Sequence, residues 1–107
     1  MGKVVHIVLW KLRRPSLLTS TSTEDALAQA KKAISALKTV PGPETLTLGP
    51  PLIDARAKGF DWGLYSIFTD KDALQKYAVS EAHLKVVTEN VRPNVDDVLA
   101  YDFELDD

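Results

Sequence analysis

The stretch KVVHIVLWK, residues 3–11, decides the fold. Its β-branched and aliphatic residues suit an extended strand. Successive side chains of a strand point to opposite faces, so Val4, His6, Val8 and Trp10 lie on one side and Val5, Ile7 and Leu9 on the other. Both sides are apolar, and a strand of this kind is covered on both faces. A chain of 107 residues carries one hydrophobic core and has few helices with which to make two covers.

The rest of the chain shows what those covers are. Residues 12–21 read as a loop with Pro15 and a Ser/Thr-rich turn. Ser22 or Thr23 can cap a helix on which Leu27, Ala30, Ile34 and Leu37 recur at helical spacing, and Pro41-Gly42-Pro43 ends it. Residues 44–49 alternate Leu46 and Leu48 with polar neighbours, as an edge strand does before Pro50-Pro51. Residues 52–59 read as a loop, and residues 60–68, FDWGLYSIF, as a strand. Thr69 or Asp70 starts a short helix with Ala73, Leu74 and Tyr77. Ser80 starts another with His83, Leu84, Val87 and Val91, which Pro93 helps close. A last strand is expected over 97–105, with Leu99, Tyr101 and Phe103 on one face.

The order is β-α-β-β-α-β, that of a ferredoxin-like α+β sandwich with an antiparallel sheet. The helices cover one sheet face, and the apolar second face calls for a symmetric homodimer with two sheets packed face to face. One domain is expected over residues 1–107.

Composition narrows the function. Apolar residues make up 45% and charged residues 26%, with a net charge of −2, which describes an ordinary globular protein and no nucleic-acid or anionic-membrane binder. The one basic run, Lys11 to Arg14, is short. Without cysteine there is no thiolate nucleophile and no disulfide, which is compatible with the cytoplasm. The seven-residue run VVHIVLW is too short to span a membrane and lacks a cleavage site. No glycine-rich phosphate loop and no Gly-x-Ser-x-Gly elbow occurs.

Taken together, HIVLWKL, GFDWGLYSIFTDKDALQKYAVSEAHLKVV and VLAYDFEL resemble the stress-responsive dimeric α/β-barrel, or Dabb, family. The likeness implies a ferredoxin-like protomer dimerising through its sheet into a barrel. Within the family, the similarity to polyketide cyclases of the olivetolic acid cyclase type implies aldol closure by a histidine–tyrosine pair with a supporting aspartate. Those roles fall on His83, Tyr77 and Asp102, and His6 falls on a further pocket histidine. SEAH at 80–83 departs from the family's frequent His-Pro-x-His or hydrophobic-Pro-x-His.

The residues have a chemistry of their own. A helix start disfavours an imidazolium and a neighbouring aspartate favours it; the neutral form of His83 is the one that a general base needs. Tyr77 could donate to a developing enolate. Asp102 on the last strand could fix the tautomer of His83, or serve as the partner that a buried His6 needs. On a continuous helix Tyr77 and His83 would point about 240° apart, so they meet only if the helix breaks at Val79-Ser80. The reading is a cofactor-independent, metal-free acid/base enzyme acting on a small apolar carbonyl or polyketide-like ligand, with His6, Trp10, Trp62, Phe68 and Leu84 lining the pocket between sheet and helices. Its rivals are a non-catalytic stress-response binding or assembly protein, and a barrel with other chemistry such as monooxygenation or decarboxylation.

Overall fold

The computed structural model describes residues 2–15 and 22–106. The Ser/Thr-rich turn expected at 16–21 lies outside the described residues. Strand β1 (Val4–Leu12) leads to helix α1 (Thr23–Ile34), which tightens into a 3-10 turn at Ser35–Thr39. Strands β2 (Thr45–Gly49) and β3 (Trp62–Phe68) follow, then helices α2 (Lys71–Val79) and α3 (Glu81–Val86) and strand β4 (Val95–Glu104). The four strands form one antiparallel sheet in the order β2-β3-β1-β4. This is the β-α-β-β-α-β order expected. No helix among the described residues is long and apolar enough to cross a membrane.

Local chemistry sets the element ends. The amide of Asp25 donates to Ser22 Oγ at the start of α1, with acidic residues in its first turn and lysines in its last. Asp70 caps α2 in the same way, accepting from the amide of Ala73 at 2.8 Å. One difference from the sequence reading is the helix after Ser80. It is α-helical only to Val86 and widens into a π turn over Val87–Val91 before a 3-10 turn at Arg92–Asn94. Asn90, in the π turn, donates to the Ala33 carbonyl at the end of α1 (3.0 Å), tying the two helical segments together. Arg13 fastens the start of β4, donating to the Pro93 and Val95 carbonyls and pairing with Asp96.

The core lies between the helices and one sheet face. Trp10, Leu12, Leu64, Ala30, Ile34, Leu37 and Val91 form its larger part, and Val4, Val40, Phe68 and Tyr77 its smaller. The other face carries Ile7, Leu9, Tyr65, Leu99, Tyr101 and Phe103, and the last four of these are about half exposed. Strand β4 is uncovered on both faces for most of its length, because α1, α2 and α3 lie over the other strands.

Candidate active site

The smaller part of the core ends in a row of aromatic rings. Val4 pairs with Phe68 and His6 with Ser66, so His6 and Phe68 stand on the helix side of neighbouring strands. Phe68 is fully buried, with its ring 6.0 Å from His6 and 5.0 Å from Tyr77. Tyr77 comes down from α2 and is 4% exposed. The Tyr77 and His83 ring centroids are 4.4 Å apart, and those of Tyr77 and His6 are 6.4 Å apart.

The break at Ser80 makes this convergence possible. Ser80 has an extended backbone, and both its amide and its hydroxyl donate to the Tyr77 carbonyl, at 3.1 and 2.9 Å. The amide of His83 in turn donates to Ser80 Oγ at 3.2 Å. One serine closes α2 and opens α3, so the 240° expected of an unbroken helix does not accumulate.

Hydrogen bonds orient the two imidazoles differently. His83 Nδ1 lies 3.2 Å from the Ala78 carbonyl, which fixes the proton on Nδ1 and leaves Nε2 without a partner among the described residues. His6 Nδ1 lies 2.5 Å from Asp102 Oδ1, a short contact between facing residues of β1 and β4. The expectation that Asp102 orients His83 is therefore corrected. Asp102 is His6's cross-strand neighbour, and the partner of His83 is a backbone carbonyl one turn away.

Burial tunes the pair. Desolvation holds the His83 imidazolium below its ordinary range, with His6 adding a smaller push in the same direction and the Ala78 carbonyl opposing both. Burial pushes the Tyr77 phenol up to about 12, so it stays a neutral donor. The signs predict a pH dependence of stability. The folded state resists protonation of His83, so that contribution is complete above the ordinary histidine value and is lost as pH falls below it. For Tyr77 the contribution is complete below pH 10 and is lost as pH rises toward 12. Urea midpoints measured from pH 5 to 8 should fall less steeply toward acid in His83→Gln than in the parent protein.

Other expected pocket residues are elsewhere. Trp10 is almost fully buried in the larger core, four residues along β1 from His6, or about 13 Å. Trp62 is six residues from Phe68 on β3, roughly 20 Å away, with Lys31 Nζ 4.8 Å from its ring centre. Leu84 is half exposed on α3. The expected hollow between sheet and helices is filled at the aromatic row, whereas a depression of about 530 Å³ lies on the open sheet face, bordered by Ile7, Leu9, Tyr65, Leu99 and the 50–60 loop. Among the described residues no cluster of His, Asp and Glu is arranged to hold a metal.

One contributor escaped the sequence reading. Gly42 adopts φ +139°, and a Cβ there would come within 2.9 Å of Tyr77 Cδ1. Its only signal, the flanking prolines, reads equally well as a helix stop.

Comparison with known families gives a match over residues 4–105 to the Stress responsive A/B Barrel Domain, Dabb. The chain belongs to the Dabb family. Among solved structures, this Dabb chain is similar to a Dabb family protein with a ferredoxin-like fold from Mesorhizobium loti, at 26% identity, covering 96% of each chain, with a TM-score of 0.64. It is similar to a dimeric ferredoxin-like protein of unknown function from Jannaschia, at 23% identity over 97% of this chain and 100% of that one, TM-score 0.70. It is also similar to a hydroxynitrile lyase from Passiflora edulis, at 21% identity over 98% and 94% of the two chains, TM-score 0.72. Comparison with curated proteins gives no match.

Proposed function

We propose that this Dabb protein is a homodimer whose protomers are cofactor-independent acid/base enzymes, forming or cleaving carbon–carbon bonds in small apolar carbonyl compounds of the polyketide kind. The observation that carries the reading is the His83–Tyr77 contact. A half-buried imidazole, held neutral and tied at Nδ1, lies against a phenol that burial keeps protonated. In the aldol direction His83 Nε2 takes the proton from carbon next to a carbonyl, and the Tyr77 hydroxyl donates to the enolate oxygen. The enolate carbon attacks a second carbonyl, and the alkoxide formed takes a proton back from the imidazolium. His6, held by Asp102 with Nδ1 toward the carboxylate, presents Nε2 on the same side of the sheet as a second proton carrier or an anchor for the substrate.

The Passiflora neighbour carries a lyase name, which supports carbon–carbon bond chemistry on this fold. The dimeric neighbours and the uncovered apolar sheet face support the homodimer. A second reading, a binding or assembly protein without catalysis, is favoured by one observation: Phe68 and Tyr77 are almost wholly buried against one another in the aromatic row. Crystals soaked with aromatic polyketide products separate the two. The enzyme reading expects a ligand oxygen within about 3 Å of Tyr77 or His83, displaced in His83→Ala. Crystals with no ligand at this pair would favour the second reading.

A further inference from the structure

We infer that His6 and Asp102 form a general base for water, which hydrolyses neutral, apolar acyl thioesters and esters. This activity goes beyond the carbon–carbon chemistry proposed for His83, and shares with it only the Tyr77 donor.

Strand register builds the dyad. His6 of β1 and Asp102 of β4 face each other on the helix side of the sheet, and their side chains meet at 2.5 Å. Ser66, opposite His6 on β3, donates its hydroxyl to the His6 carbonyl at 3.2 Å. Phe68 packs edge-on against the imidazole. The ring is thus held from two neighbouring strands. The carboxylate keeps the imidazole proton on Nδ1 and leaves the lone pair of Nε2 free. Among the described residues, Trp62 Nε1 is the buried side-chain nitrogen or oxygen without a partner. His6 Nε2 and the Tyr77 hydroxyl also have none there, so both are reached by solvent.

The surroundings point to water as the nucleophile. The chain has no cysteine. Ser66 is fully buried with its proton engaged, and the Ser80 hydroxyl donates to the Tyr77 carbonyl. Access lies on the β4 side, where the Asp102 side chain is 42% exposed and that of His6 14%. Along the same side of β1 and β4 run Val8, Ala100 and Val98, an apolar shelf about 13 Å long beside the dyad. Ala100 and Val98 are exposed there, so an acyl chain has a surface to lie on. Residues 95–106 carry Asp96, Asp97, Asp102, Glu104 and Asp106 and no basic residue. That charge disfavours anionic substrates and expels a carboxylate product.

The steps balance. His6 Nε2 takes a proton from water as the water oxygen bonds to the acyl carbon. The carbonyl oxygen becomes an oxyanion and accepts from the Tyr77 hydroxyl. The oxyanion collapses, the carbon–sulfur bond breaks, and the leaving thiolate takes the proton from the imidazolium. A carboxylic acid and a thiol leave, and His6 is neutral again. Asp102 orients the ring and stabilises its charge between the two transfers.

The test follows thiol release from octanoyl N-acetylcysteamine thioester, a neutral probe, by the full chain. His6→Gln should lower kcat/KM about 10²-fold or more. Asp102→Asn should lower it about tenfold or more, and Asp102→Glu, which keeps the carboxylate, should recover part of that loss. In heavy-oxygen water the released acid should carry one labelled oxygen, and hydroxylamine should trap no acyl-protein. A parent protein without thioester hydrolysis, an Asp102→Asn variant as active as the parent, or a trapped acyl-protein would overturn the dyad. Proton exchange at carbon in ketones reports the His83–Tyr77 reading separately. Exchange without hydrolysis removes the dyad alone, and hydrolysis without exchange supports the dyad and removes the carbon–carbon reading.

Discussion

Replacing Phe68 by alanine is expected to lower the unfolding free energy by about 3–5 kcal/mol. The ring is fully buried, spans the gap between β1 and α2, and packs against both His6 and Tyr77. Its removal leaves a cavity that Val4, Val40 and Tyr77 cannot all close, because each is already packed in the same small cluster. A loss of that size is a large part of the roughly 5–15 kcal/mol that holds a domain together. The control is Leu84→Ala, which removes a half-exposed side chain outside both core clusters and should cost less than about 1 kcal/mol. Urea unfolding of both variants checks the contrast. Equal losses would show that the aromatic row is not the packed layer described.

The second large effect is expected at Gly42→Ala. The backbone there sits in a region that side chains rarely adopt, and the added methyl would lie 2.9 Å from Tyr77 Cδ1 and 3.3 Å from Tyr77 Cβ. Tyr77 is nearly fully buried and cannot swing aside without leaving Phe68. The strain and the overlap together should cost about 2–4 kcal/mol. What remains folded should have Tyr77 displaced from His83, seen as weaker nuclear Overhauser contacts between the two rings. Unchanged stability together with unchanged contacts would remove Gly42 from the support of the site.

The architecture was largely legible in the chain because its signals are local. Alternation in KVVHIVLWK, the Ser22 cap, the prolines at 41–43 and the Ser80 break each act within a few residues, and the structure follows them to within two residues at most element ends. The site was legible only in part. That Tyr77 and His83 converge follows from one capping serine. That Asp102 serves His6 rather than His83 depends on the register between β1 and β4, which brings together residues 96 apart in the chain and which no local pattern specifies. Trp10 and Trp62 are aromatic in the same way as a pocket wall would be, and only their distance along the strands removes them from the site. The π turn at 87–91 lies where the chain meets the end of α1 through Asn90, a packing contact without a residue signature. Gly42 matters through the absence of a side chain beside Tyr77, and the sequence shows that absence without its surroundings.

In the proposed chemistry His83 and Tyr77 move a proton at carbon next to a carbonyl. Its most direct measurement is deuterium exchange in D2O. A panel of small aryl-bearing ketones and β-diketones is incubated with the parent protein, His83→Ala or Tyr77→Phe, and loss of the carbon-bound proton signal is followed by NMR. Exchange is expected to be faster with the parent protein for at least one compound, and about 10²–10⁴-fold slower in His83→Ala, with Tyr77→Phe slowed as well through loss of the oxyanion donor. Exchange that the parent protein accelerates for no compound, or that both variants accelerate equally well, would contradict it.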